Sequence, residues 1–150
     1  MASVVKQKSK KGLPLKKLIN ETVRYMPYTY ERSRDVRLYS PKRSVDKEGN
    51  LVVECTAKSR RTRINTNPQK RRVKITALDR ASKVSRAAGI KVECDCEDHC
   101  FTWEVALYRV GAADIVYSNG EKPIVKNASM VPLVCKHVLR LLMAIKAKGY

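Results

Sequence analysis

Long apolar runs are missing: no stretch approaches the ~18 consecutive residues that span a bilayer, so no transmembrane helix and no membrane partner are expected. The opening "MASVVKQKSKKG" carries lysines without an apolar segment behind them, so a secretory signal is not expected. The lack of any acid before Glu21 leaves a transit peptide as the alternative. Histidine is scarce, with His99 and His137 the only two. No Ser-His-Asp spacing, glycine-rich phosphate loop or dinucleotide fingerprint occurs. These absences argue against an enzyme and against a small-molecule substrate. Aromatic side chains are also sparse, at one Trp, one Phe and seven Tyr. None lies in the most basic segment, which therefore offers no base-stacking platform.

Positive charge, by contrast, is abundant and unevenly placed. The net charge is +18, from 32 Lys and Arg against 14 Asp and Glu. Residues 1–90 hold 24 cations against 7 acids, or +17, whereas residues 91–150 hold 8 against 7, or +1. A basic half is thus followed by a nearly neutral half that carries four of the five cysteines. Any acidic partner is met chiefly by the first half. At 150 residues the chain is most simply one domain, long enough to bury a core without cross-links.

Residues 1–12 read as a basic disordered arm, 13–89 as a basic helix plus β-hairpin region, and 90–150 as a cysteine-bearing module packed as one domain with 13–89. Leu15, Leu18, Ile19, Val23 and Met26 recur at helical spacing after Pro14 and predict a helix that ends before Pro27. Arg34–Ser40, Leu51–Ser59 and Arg71–Leu78 alternate like strands, with "DKEGN" and "INTNPQKR" as intervening turns. Asp79 is positioned to cap a helix running to Ala88, closed by Gly89. Ile90–Cys94 reads as a strand, and Phe101, Val105 and Tyr108 mark one face of a helix that stops at Gly111. "YSNGEKP" is a tight turn. The last helix begins near Val134, with Val138, Leu141, Leu142 and Ile145 on one stripe that Leu139 and Met143 widen. The fold class expected is α+β: a small antiparallel β-rich basic half with short helices, then a strand–helix–helix module.

Four cysteines and both histidines fall in "VECDCEDHCF" (92–101) and "VPLVCKHVLRLL" (131–142). In a reducing compartment, clustered thiols read as metal ligands before disulfides. Cys94 and Cys96, two apart on a strand, share a face. Cys135 and His137 have the same gap at a helix start, so Cys135 must precede the first turn while His137 lies inside it. The helix dipole there favours a thiolate. Three thiolates and an imidazole make a closed tetrahedral set, the usual choice for structural Zn²⁺. Two alternatives stay open: His99 or Cys100 replaces one of the four ligands, or the sulfurs are simply buried without metal. Cys55 reads as core.

Cys-x-Cys followed by Cys-x-His resembles the SWIM-type zinc finger, with a gap of 38 residues here. In that longer form the chain is similar to small virion-associated proteins of tailed bacteriophages. The likeness rests on "CDCED", "WEVA", "IVYSNGEKP" and "CKHVLRLL" and covers roughly residues 70–150. His99-Cys100 and Asn127-Ala128 depart from the pattern. The resemblance implies a bacteriophage structural protein with other virion proteins as partners, found in the virion or the infected-cell cytoplasm.

"KSRRTRINTNPQKRRVK" (58–74) has eight cations and no acid. Val73 and Ile75 should point inward, with Arg72 and Lys74 outward and Arg61 and Arg63 sharing that outer face on the next strand. Arg60, Arg61, Arg63, Lys70, Arg71, Arg72 and Lys74 are therefore the candidate contacts to a nucleic-acid phosphate backbone, made without base reading. A solvated strand face, or docking on an acidic protein wall, is the competing reading. A sequence-nonspecific nucleic-acid-binding factor acting in transcription, replication or packaging is the alternative function.

Overall fold

The computed structural model describes residues 11–150, so all of the expected basic arm except Lys11 and Gly12 lies outside the described residues. Two helices, α1 (Leu15–Tyr25) and α2 (Pro27–Ser33), precede three strands, β1 (Val36–Val45), β2 (Leu51–Ser59) and β3 (Lys70–Ala77). Strand β4 (Ile90–Cys94), a π turn (His99–Trp103), α3 (Glu104–Arg109) and α4 (Lys136–Lys148) follow. The strands form one antiparallel sheet in the order β1-β2-β3-β4. The architecture is α+β.

Alternation explains the sheet. Val53, Cys55 and Ala57 of β2 and Val73, Ile75 and Ala77 of β3 are all buried, and β4 adds Ile90, Val92 and Cys94. Helix α4 packs against β1, β3 and β4 and against α1 and α2. Its Val138, Leu139, Leu141, Leu142 and Ile145 are buried, and Met143 sits partly buried against them. One core cluster therefore runs from Leu15, Leu18 and Ile19 through the sheet to Ile145. The outer edge of β4 is covered: Ile90 N–H donates to Leu13 O (2.8 Å) and Val92 N–H to Ala112 O (2.8 Å). Buried Thr22 on α1 accepts the Val134 N–H through its hydroxyl (3.3 Å), which ties the first helix to the approach of the last.

Several local expectations are corrected. Pro27 ends α1 as expected but also starts α2, because a proline at N1 supplies a helical φ and needs no N–H partner. Strand β1 runs past Ser40 to Val45, crossing an irregularity between Tyr39 and Lys42 where Ser40 has φ +50°. An edge strand tolerates Pro41 there. The helix expected from Asp79 to Ala88 is only a 3₁₀ turn at Val84–Arg86. Asp79 and Arg80 both have left-handed φ (+57° and +53°), and Asn50 Oδ1 captures the Arg80 N–H at 3.0 Å, so no helix can start there. The Phe101–Val105–Tyr108 stripe is also wrong: Phe101 is 71% exposed, because the π turn resets the phase before α3.

Gly89 therefore closes no helix. It lies where the chain at Lys11 crosses, and a Cβ built on it would fall inside the Lys11 carbonyl. Gly89→Ala should lower unfolding free energy by about 2–3 kcal/mol, at the upper end of ordinary single substitutions, in urea titrations. Gly149→Ala, left-handed (φ +73°) but in open space, should cost only the ~1–2 kcal/mol of its backbone conformation. Equal effects would mean that the crossing simply moves aside.

Candidate metal centre

Strand β4 ends at Cys94, and Asp95 carries the extended chain one step further by donating its N–H to Arg72 O (3.3 Å). Cys96 thus follows the strand rather than lying on it, yet keeps the side that Cys94 occupies. Opposite, Cys135 is the N-cap residue of α4 in extended conformation, and its sulfur accepts the Val138 N–H at 3.5 Å. His137 sits in the first turn. The ligand atoms of Cys94, Cys96, Cys135 and His137 all lie within 4.8 Å of one another, and all four residues are buried. His137 Nδ1 faces the sulfurs, 3.9 Å from Cys94 Sγ and 4.0 Å from Cys135 Sγ. A tetrahedron with Zn–S of about 2.3 Å and Zn–N of about 2.0–2.1 Å has edges of roughly 3.5–3.8 Å, so a small contraction would close this set on an ion. No cysteine is in a disulfide.

The electrostatics of the three thiols also favour a cation. The Cys96 thiol is held well below its ordinary range, because Cys135 and Cys94 donate to its sulfur and His137 and the His99 N–H add to them. The Cys135 thiol is pushed well above the ordinary range by burial and by its contacts with Cys94 and Cys96. For Cys94, contact with Cys135 works downward, but contact with Cys96 and burial carry the thiol upward. A divalent ion would favour the thiolate form of all three.

The other sulfurs and the second histidine stand apart. Burial, with Glu54 beside it, pushes the Cys55 thiol up to about 11, so it is an inert core group. Cys100 is half-buried and outside the cluster. His99 and Glu104 are completely buried, with His99 Nε2 3.4 Å from Glu104 Oε2. Among the described residues, neither ring nitrogen of His99 finds a partner with hydrogen-bond geometry. The five-residue π turn brings this pair together across a spacing that an α-helix would splay. Glu104 also accepts the N–H groups of Val116 (3.1 Å), Tyr117 (3.0 Å) and Ser118 (2.8 Å), a cradle that ties the 115–118 loop to the turn. No sequence pattern signals this clasp. Asp98 accepts from Trp103 Nε1 at 3.0 Å.

A cleft of about 310 Å³ opens over the cluster, lined by Cys96, Cys135 and His137 and by Arg32, Arg71 and Lys136. Glu97 and Asp98 stand on the same wall. Three cations and two carboxylates therefore share the cleft with the cluster.

The seven basic candidates do not share one face. Arg61 and Arg63 are not on a strand, because β2 stops at Ser59 and the Thr62 hydroxyl turns the chain by accepting the Asn65 N–H at 2.9 Å. Arg60 stands beside Asp35 at 3.7 Å. Lys70 and Arg72 are exposed on the outer side of the sheet. Arg71 turns to the inner side, where Nη1 reaches Asp95 O at 3.5 Å. Lys74 lies in register between Glu54 and Glu93.

The Glu104 clasp should respond to acid. Burial alone would raise this carboxyl, but His99 and the Ser118 and Tyr117 N–H groups hold it below its ordinary value. A depressed carboxyl contributes stability above its unfolded value of about 4.3, and loses it as pH falls through the lower folded value. The stability gap between the parent and Glu104→Gln should therefore be full at pH 6 and shrink only below about pH 4.3. Amide exchange at 116–118 should be faster in the variant at pH 6. A gap that closes above pH 5, or unchanged exchange, would contradict the clasp.

No protein-family model, curated protein or solved structure matches this chain, so the four converging donors themselves carry the functional reading.

Proposed function

We propose that this chain is a non-enzymatic zinc protein in which Cys94, Cys96, Cys135 and His137 hold one structural Zn²⁺. The convergence of three sulfurs and one imidazole nitrogen within 4.8 Å carries this reading. Softness of the donor set selects zinc over the hard cations, which prefer oxygen. Four protein donors fill a tetrahedron and leave no position for a reacting water. His99, the other histidine, is enclosed with Glu104 and serves no open site. When bound, the ion would neutralise the thiolates and pin β4 to the start of α4.

The biological setting we propose is a bacteriophage virion-associated structural protein, in the particle or the infected-cell cytoplasm. Its support is the likeness of the Cys-x-Cys, Cys-x-His and intervening motifs described above. The basic half would then meet packaged nucleic acid or a neighbouring virion subunit. A nucleic-acid-binding accessory factor in transcription, replication or packaging is the second reading, favoured by the concentration of +17 in residues 1–90. Mass spectrometry of purified particles separates the two: recovery at stoichiometric levels supports the virion, and absence from particles supports the factor.

Structural zinc contributes on the order of 10–16 kcal/mol, comparable with a whole domain's stability of about 5–15 kcal/mol. Elemental analysis should give one zinc per chain, and exhaustive chelation should abolish the cooperative circular-dichroism melt. Cys96→Ser and His137→Ala should lose the metal, while Cys100→Ser should keep it at a cost of about 1 kcal/mol or less. An unchanged melt after chelation, or zinc loss from Cys100→Ser alone, would refute the assignment.

A further inference from the structure

Strand register places three cations side by side on the outer side of the sheet. Arg37 of β1 pairs with Lys58 of β2, and Lys58 pairs with Lys70 of β3. Their neighbours Val36 and Ala57 point into the core, so this row points out. Arg37 and Lys70 are exposed and Lys58 is half-buried. Like charges directly opposite one another destabilise a sheet. The second row inward is Tyr39, Thr56 and Arg72, and Asp95 lies beside Arg72 with its carboxylate accepting the Arg72 N–H at 3.0 Å. The third is Lys42, Glu54, Lys74 and Glu93, which alternates in sign across all four strands. One end of the sheet is thus arranged for self-consistency, whereas at the other Asp35 stands beside Arg60 (3.7 Å) and the Arg37–Lys58–Lys70 row itself holds no acid.

We infer that the Arg37–Lys58–Lys70 row, with Arg72 behind it, is a docking surface for the phosphate backbone of duplex DNA. The inference rests on the nucleic-acid arm of the proposed function and gives that contact a place. Strands about 4.8 Å apart hold the three charges in a fixed line, and duplex DNA offers a continuous line of negative charge without gaps. The loop leaving β2 carries exposed Arg61 and Arg63 away from the same end of the sheet, which extends the positive surface. A protein partner fits less well. Protein interfaces need a buried apolar or aromatic anchor and are depleted in lysine, and the row supplies three long cations and no such anchor. Backbone contact through a flat strand face leaves base edges unread, so binding should be indifferent to sequence.

The test uses the zinc-loaded full chain and a mixed-sequence DNA duplex, with affinity measured against salt concentration. The triple variant Arg37→Ser, Lys58→Ser, Lys70→Ser should flatten the log–log salt slope by up to about 2.7, from about 0.9 per phosphate contact. Without DNA it should melt at the parent's temperature or above, because the repulsion across the strands is gone. The control Lys42→Ser, Lys74→Ser removes as many as two exposed or half-exposed cations from the alternating row and should change the slope by less than about 1. A triple variant that keeps the parent's slope overturns this surface while leaving DNA binding elsewhere on the basic half. A parent that fails to bind the duplex at ~0.1 M salt overturns both this surface and the nucleic-acid reading, and points the row to an acidic protein instead.

Discussion

The meeting of Cys94 and Cys96 with Cys135 and His137 is the constraint on which the rest of the chain depends. Two sulfurs leave the end of β4, and one sulfur and one imidazole stand at the start of α4, with 38 residues in between. Burying three thiols and a histidine together is costly unless a cation satisfies them. With the ion, the cost becomes the tie that fixes where α4 enters the core. The first turn of α4 must then lie over β4, which directs Val138, Leu141, Leu142 and Ile145 onto the sheet and against α1 and α2. Cys135 acts twice in this arrangement, as a donor of the cluster and as the cap that receives the Val138 N–H.

Charge is partitioned around that tie. Near the cluster, Arg32, Arg71 and Lys136 line the same cleft as Glu97 and Asp98, so cations and acids are mixed there. Away from it, the outer side of the sheet carries the Arg37–Lys58–Lys70 row, which contains no acid of its own. The long segment between α3 and α4 needs its own fastening. Glu104 holds residues 116–118, and Asn127 pins the next bend by donating to Thr102 O (3.1 Å) and Val131 O (2.9 Å). Asn127 has φ +58°, a left-handed conformation that these contacts hold in place.

Much of this was readable from residue pattern, for physical reasons. Strands β3 and β4, and β2 from Val53 onward, alternate because one face is buried and the other is not, so period two survives in the sequence. Helix α4 shows its apolar stripe, and the need for Cys135 to precede the first turn follows from helix geometry alone. Other features depend on contacts that no local pattern records. The π turn shifts the helical phase by one residue, which exposes Phe101 and buries His99 beside Glu104. The expected helix after Asp79 is lost to two left-handed residues held by Asn50, thirty positions away. Arg37 and Lys58 drew no notice in the sequence as a pair, because only strand register makes them neighbours of Lys70.

The central claim is that three sulfurs and one nitrogen close around a single zinc. X-ray absorption fine structure of the zinc-loaded full chain tests it most directly, since it reads the ligand shell itself. Three sulfurs at about 2.3 Å and one nitrogen at about 2.0–2.1 Å are expected, with no oxygen in the shell. A shell with two sulfurs, or with a coordinated water, would contradict the closed structural centre and reopen the question of what the cleft above it admits.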